Sequence, residues 1–270
     1  MNNTKKRIGA VLVLMLMGLS VAVQASEGTQ AVIDCMDANV PKSLRVQDIE
    51  LAATRADSPD TTTLRGKVYV LRQKSAEGRE TVRATLRIAS PDYLKGASYL
   101  IRQSESPGQD GMYVFLPSVK RVRRISGEFS DGPLLGTNVS YYDFKQMQHA
   151  VGDAAAARER DDTLQDRPVY VITYTPTSEA GTKYSLVRLW VDQKSCVALQ
   201  AEFMEGGKLR KRMSGDASAL RQTGDAWYLS ELRLDDLKDK SSTQVKFVAT
   251  ASGPELPTRL FDPKAFYLGN

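Results

Sequence analysis

The sequence predicts a mainly β protein with α elements, in which about ten to twelve strands form one strongly curved antiparallel sheet. Three observations predict it. From Leu44 onward, segments in which apolar and polar residues alternate follow one another with little chain between them. Turn residues punctuate them, as at Glu77-Gly78, Gly108-Gln109-Asp110-Gly111, Glu205-Gly206-Gly207 and Gly224-Asp225. Connections this short join antiparallel neighbours, because a parallel crossover needs about a dozen residues. Finally, helical periodicity is confined to a few stretches.

The first 25 residues read as an address. Lys5-Lys6-Arg7 precede an apolar run from Ile8 to Val23, and Val23-Gln24-Ala25 places small residues where a signal peptidase reads, so residues 1–25 are a cleavable signal peptide and 26–270 a single domain. The apolar run is shorter than the roughly 20 residues a bilayer span needs. No cysteine follows it directly, which argues against a lipid anchor. The mature chain is therefore expected to be soluble in the periplasm.

The mature chain opens on a helix. Val32, Met36 and Val40 recur every four residues with Ile33 beside them, and Pro41 stops the pattern, which predicts a helix over Thr29 to Val40. Strands follow. In Thr81 to Ser90, Val82, Ala84, Leu86 and Ile88 alternate with Arg83, Thr85 and Arg87, one face buried and one wet. Val197 to Phe203 repeats the pattern. Further strands are expected at Leu44 to Thr54, Leu64 to Gln73, Ala97 to Ser104, Val169 to Tyr174, Tyr184 to Asp192, Leu209 to Ser214, Ala226 to Asp235 and Gln244 to Ser252. Val169-Tyr170-Val171-Ile172 and Val187-Arg188-Leu189-Trp190-Val191 lack a consistently polar side. Either such a sheet packs on helices and is partly covered outside, or its inner face is a groove that accepts lipid. Asp153 to Asp161 reads as further helical cover, and Asp262 to Tyr267 as a short turn of helix opened by Pro263.

The stretch from Met112 to His149 has the most character. Tyr113 and Phe115 share one face of an apolar strand, and Met112, Val114 and Leu116 the other. A basic strand follows, in which Lys120, Val122 and Arg124 face one way and Arg121, Arg123 and Ile125 the other. Its cations Lys120, Arg121, Arg123 and Arg124 are solvated strand-end charges, or they meet acidic membrane headgroups, a lipid phosphate or an acidic patch on a partner. From Ser126 to Val139, Phe129, Leu134 and Leu135 sit among Gly127, Gly132, Pro133 and Gly136, the composition of a movable lid. Ser140 and Asp143 then resemble the start of a capping arrangement. Tyr141, Phe144 and Met147 form an oily stripe on the helix behind it, core-facing or ligand-facing.

Composition excludes several classes. The chain carries 37 Lys and Arg against 32 Asp and Glu, a formal charge of +5, and cleavage removes Lys5, Lys6 and Arg7, leaving a net of +2. That balance makes no case for nucleic acid. A single histidine, His149, allows no two-histidine metal set, and no phosphate loop, Gly-x-Ser-x-Gly elbow or Cys-x-x-Cys occurs. The chain thus reads as a non-enzyme with no metal and no cofactor. Cys35 and Cys196 meet an oxidising compartment after export, where a lone pair of cysteines usually forms a disulfide.

Tyr113-Val114-Phe115-Leu116-Pro117-Ser118-Val119-Lys120-Arg121-Val122-Arg123-Arg124-Ile125-Ser126, followed by Leu135-Gly136-Thr137-Asn138-Val139-Ser140-Tyr141-Tyr142-Asp143-Phe144, resembles the LolA-like outer membrane lipoprotein-sorting family. The likeness extends more loosely from Ala31 to Leu268. It departs from the family's pattern at Asn138, where an acidic residue is common, and at Tyr142, where a glutamate is. The resemblance implies an incomplete antiparallel barrel with helices covering its concave side. It also implies a monomeric periplasmic carrier that takes a lipid or a lipoprotein acyl chain toward the outer membrane, touching membranes transiently and working beside an RND-type exporter of the inner membrane. In such a carrier Tyr113, Phe115, Phe129, Leu134, Leu135, Tyr141, Phe144 and Met147 would line the cavity and its lid. The alternative is a periplasmic sensor or exporter-docking accessory protein that binds a protein partner without carrying lipid.

Overall fold

A computed structural model describes residues 19–40, 45–74, 80–103, 110–148, 154–177, 181–252 and 257–268. The chain begins with helix α1 (Leu19–Ala38), which runs through the expected cleavage point. Its predicted stripe is the buried one: Val32, Met36 and, just beyond the helix, Val40 are buried. Six strands then follow as a meander: β1 (Arg45–Arg55), β2 (Ser58–Lys74), β3 (Glu80–Ser90), β4 (Ser98–Arg102), β5 (Gly111–Leu116) and β6 (Arg121–Ile125). A loop and helix α2 (Tyr141–Met147) lead to β7 (Ala155–Arg158), β8 (Asp162–Leu164), β9 (Arg167–Thr175), β10 (Tyr184–Asp192), β11 (Ala198–Glu205) and β12 (Lys208–Ser214). A hairpin of β13 (Leu220–Thr223) and β14 (Ala226–Leu229) precedes β15 (Glu231–Asp236) and β16 (Ser241–Ser252).

All strands but the β13–β14 hairpin belong to one open antiparallel sheet of 14 strands, ordered β6-β5-β4-β3-β2-β1-β16-β15-β12-β11-β10-β9-β7 with β8 also on β9. The expectation of about ten to twelve strands was therefore low. The short strands β7 and β8, too brief to show alternation, account for the excess. The expected helix over Asp153 to Asp161 is also corrected: Ala155 to Arg158 pair with Thr175 to Ile172 of β9. Alanine favours a helix in isolation, but a free sheet edge offers a complete ladder of hydrogen-bond partners, and tertiary context overrides propensity.

The topology explains the layers. The first six strands and the last eight meet where β1 pairs with β16, so β6 and β7 lie at opposite edges. The chain between them, from Ser126 to α2 and on, must cross the whole face of the sheet. Leu134, Val139, Tyr142 and Phe144 are accordingly buried, in one cluster with Val32 and Met36 of α1 and with Leu51, Leu64, Val68, Leu86, Leu199 and Leu234 of the sheet. The opposite face is covered on the side of β2 to β6. There Leu260, Phe261 and Phe266 of the C-terminal segment cover Tyr69 and Leu100. Thr85 Oγ1 donates to the Leu260 carbonyl at 2.6 Å, and the Arg87 guanidinium donates to the Phe266 carbonyl at 2.7 and 2.9 Å. The polar face expected of β3 is thus partly roofed by the chain's own end.

Gly66 sits where β2 shifts register against β3. A Cβ there would lie 2.1 Å from the Arg87 carbonyl oxygen, so the close approach of the two strands requires glycine.

A candidate lipid site on the covered face

Between the sheet, the ends of the two helices and the β13–β14 hairpin lies a cavity of about 150 Å³. Val187 and Leu189 of β10, Ala201 and Phe203 of β11, Met213 of β12, Leu232 of β15 and Phe247 of β16 give it an apolar floor. Adjacent strands place these on one face because directly paired residues share a side, as Val187 with Phe203 and Ala201 with Met213. Met36 of α1 and Met147 of α2 form the helical wall, and Trp227, Tyr228 and Leu229 of the hairpin the roof.

The roof is tied down at one point beside the disulfide. Asn39, just past α1, accepts a hydrogen bond from the Trp227 backbone N–H at 2.7 Å and donates from its side chain to the Ser195 carbonyl at 2.7 Å. Cys35 and Cys196 are joined, with Cα atoms 5.4 Å apart, as expected from their number and compartment.

One end of the cavity is polar. Arg45, Gln47, Gln146 and Gln148 line it, and Arg45 Nη2 donates to Gln148 Oε1 at 3.3 Å. The Nε of Arg45 and the Nε2 of Gln146 are cut off from solvent and have no hydrogen-bond partner among the described residues. Burial pushes the Arg45 guanidinium down to about 10, partly offset by the nearby Tyr228, so it stays charged at neutral pH.

Beyond this end, α2 is held by a buried ionic network. Ser140 and Asp143 form the anticipated capping box: the Asp143 N–H donates to Ser140 Oγ at 3.0 Å and the Ser140 N–H to Asp143 Oδ2 at 2.8 Å. The same carboxylate accepts from Lys211 Nζ at 2.7 Å and from the Tyr184 hydroxyl at 2.9 Å. Burial, and then the Asp143 charge, push the Tyr184 hydroxyl far above its ordinary range, so it serves as a donor.

The residues singled out from the sequence do not converge. Met147 alone among them lines this cavity. Phe144 and Tyr141 of the oily stripe pack on Tyr99 of β4, with ring centroids 5.6 and 4.9 Å apart. Leu134 is fully buried, Leu135 is partly buried, and Phe129 is 68% exposed. Tyr113 and Phe115 point to the other face of the sheet, where Phe115 stacks on Tyr267 at 4.1 Å. His149 lies outside the described residues.

The loop expected to move is anchored. Asn138 Nδ2 donates to the carbonyls of Leu234 and Ser241, each at 3.0 Å, and Lys211 Nζ donates to the Asn138 carbonyl at 2.7 Å. Asp131 accepts from the Thr182 hydroxyl at 2.8 Å and the Lys183 N–H at 2.7 Å, while Ser130 donates to the Gly181 carbonyl. Its glycines and apolar residues serve a crossing packed on the sheet. The basic strand is as read: Lys120, Arg121, Arg123 and Arg124 are all exposed, on and beside the edge strand β6. Arg124 donates to the Asp110 carbonyl, and Arg121 and Arg123 have no acidic partner among the described residues.

What sequence reasoning missed was the cavity itself. Its one visible signal was the doubly apolar run Val187 to Val191, already ambiguous between a covered sheet and a lipid groove. Trp227 and Tyr228, behind the Gly224-Asp225 turn, carried the second half of that signal.

A family model described as "-like: Uncharacterized protein" matches residues 80–267. No curated protein matches the chain. Among solved structures, a DUF1329 family protein from Desulfovibrio piger ATCC 29098 superposes with a TM-score of 0.77 at 19% identity, over 88% of this chain and 98% of that one. A domain described as an outer membrane lipoprotein-sorting protein domain from Vibrio parahaemolyticus gives 0.76 at 18% identity, over 90% of this chain and 99% of that one. A LolA superfamily protein from Nitrosomonas europaea gives 0.65 at 19% identity, over 87% and 97%. At these identities the likeness is one of fold.

Proposed function

From the premise that the chain belongs to the family whose model, described as that of an uncharacterized protein, spans residues 80–267, and has the LolA-like lipoprotein-sorting fold, we propose that it is a periplasmic lipid carrier. The observation that carries the reading is the apolar cavity of about 150 Å³ walled by β10, β11, β12, β15, β16, both helices and the β13–β14 hairpin. On this reading residues 1–25 are removed on export, residues 26–270 form the one working unit, and the helices cover the concave side of the curved sheet. The protein acts as a monomer, without metal or cofactor and without catalysis. It takes a lipid or a lipoprotein acyl chain toward the outer membrane, working beside an inner-membrane exporter of the RND type.

Magnitudes set the demands. Burying one methylene is worth about 0.8 kcal/mol, so a chain of about 15 gains about 12 kcal/mol gross. A cavity of about 150 Å³ is the size that takes up benzene in an engineered protein core. A full acyl chain therefore needs the cavity to widen, and the hairpin is the part whose strands stand outside the large sheet. Tyr113, Phe115 and Leu134 then support the fold, while Met147 and the strand residues named above touch the chain.

The test is direct mass spectrometry of gently purified mature protein, with titration by a fluorescent acyl probe. Retained lipid, or saturable uptake of the probe, is expected. Repeated absence of both refutes the carrier reading. The second reading, a sensor or exporter-docking protein that carries nothing, is favoured by one observation, the exposed Arg121 and Arg123 of edge strand β6, which have no acidic partner among the described residues. Photocrosslinkers placed at Arg121, Arg123 and Arg124 separate the two: a single protein adduct with no bound lipid supports docking alone.

A further inference from the structure

The polar end of the cavity is poorly explained by an uncharged cargo. A cavity for a plain hydrocarbon needs no cation at its end, and withdrawing part of a guanidinium from water without a counter-charge is costly. Arg45, half-buried as a residue, nevertheless stands there with the Gln148 side chain as its hydrogen-bond partner, at 3.3 Å, and with its Nε cut off from solvent and without a partner among the described residues. The carboxylate that shares the cavity wall, Asp143, is already committed to Lys211, Tyr184 and the start of α2. A second donor, Gln146 Nε2, is orphaned on the same wall. Buried donors left unpaired are rare and ask for an acceptor that is absent. A water-sized void of about 10 Å³ also borders Arg45 under the hairpin. A water there would satisfy a hydrogen bond but would leave the charge uncompensated.

We infer that the cavity takes a single-chain amphiphile with an acidic head, whose anionic oxygens accept from the Arg45 guanidinium and the Gln146 amide while its tail lies along Val187, Leu189 and Phe203. The inference rests on the lipid-binding reading and deepens it by naming the class of ligand. The geometry is that of small-molecule sites generally, an apolar chamber with a few polar groups gathered at one place to fix orientation. A guanidinium suits both carboxylates and phosphate esters, since its planar fork matches either. The head can thus be a fatty-acid carboxylate or the phosphate of a lysolipid.

The experiment displaces the fluorescent acyl probe from the mature protein with four competitors: decanoate, decyl phosphate, decanol and inorganic phosphate. Decanoate or decyl phosphate is expected to compete at least about tenfold better than decanol, and whichever wins identifies the source of the anion. Inorganic phosphate is expected not to compete, because it has no tail. In Arg45→Gln the preference over decanol falls to near unity while decanol itself competes as before, and in Arg45→Lys a preference persists. Gln146→Met reduces the preference several-fold and keeps the test open if Arg45→Gln fails to fold. Equal competition by decanol and the anions in the wild type overturns the inference and leaves the lipid-binding reading standing. So does a preference undiminished in Arg45→Gln, or displacement by inorganic phosphate alone. Failure of the probe itself to bind removes both.

Discussion

Replacing Lys211 by methionine removes the cation from a network with no access to water. Asp143 is fully buried and Lys211 is 5% exposed. Their 2.7 Å contact is supported by Ser140 and Tyr184 on the carboxylate and by the Asn138 carbonyl on the ammonium. Methionine nearly matches the lysine stem in volume, so the loss is electrostatic. Breaking a buried pair from one side costs about 3–5 kcal/mol, because the stranded charge keeps its desolvation penalty. For a chain of this size 1 kcal/mol moves the melting temperature by about 2–4 °C, so a fall of roughly 6–20 °C is expected by calorimetry or circular dichroism. The amides of the Leu134 to Val139 crossing should exchange faster as well, since Lys211 also holds the Asn138 carbonyl. The double variant Asp143→Asn with Lys211→Met should recover part of the loss, as removing both charges is nearly neutral apart from the altered cap, worth about 0.5–2 kcal/mol. A Lys211→Met protein that melts within 2 °C of the wild type, or a double variant no more stable than the single one, refutes this account of how the crossing is held.

Three further outcomes are expected. Phe115→Ala should destabilise the fold by about 2–4 kcal/mol through loss of the Tyr267 stack, with acyl-probe affinity unchanged, since it faces away from the cavity; weakened probe binding in a folded variant would return Phe115 to the site. Gly66→Ala should be among the most damaging single methyl additions, costing several kcal/mol by strand displacement, because the added atom meets backbone; an unchanged denaturant midpoint would contradict it. Burial alone would raise the Asp192 carboxyl, but hydrogen bonds from Arg167 and Ser195 outweigh it and hold the group below its ordinary 3.8. A depressed carboxylate stabilises the fold fully above its unfolded value and loses that contribution as pH falls through the folded one. The stability gap between wild type and Asp192→Asn should therefore be constant above about pH 5 and shrink below about pH 4, measured by urea unfolding; a gap that widens on acidification would reverse the sign.

Much of the scaffold was legible because its signals are local. The four-residue spacing of Val32, Met36 and Val40 marks the buried stripe of α1, and the alternation of Val82 to Ile88 marks the inner face of β3. Ser140 and Asp143 stand three apart as a capping box requires, and two cysteines leave one pairing. What escaped depends on topology. That Ser126 to Val139 is a crossing between the two edges of the sheet follows only from the pairing of β1 with β16, which joins residues about 200 apart. Glycines and oily residues look alike in a swinging cover and in a strap packed on a core. The same holds for Tyr113 and Phe115: alternation put them together on one face, as found, but could not say which face, since the C-terminal segment that covers them is far away in sequence. Arg45 was unremarked because a charged residue opening a strand is ordinarily solvated, and its partial burial arises beside α2 and the hairpin.

The bridge between Cys35 and Cys196 ties the last turn of α1 to the bend between β10 and β11, and Asn39, four residues along, clasps the roof strand carrying Trp227. Oxidation thus reaches past the sulfurs to the ceiling of the chamber. With the thiols reduced, the clasp has no fixed base and the chamber lacks a firm ceiling. Once the thiols join, the same two bonds of Asn39 set the helix end, the bend and the ceiling as one piece, so forming the bridge also finishes the container.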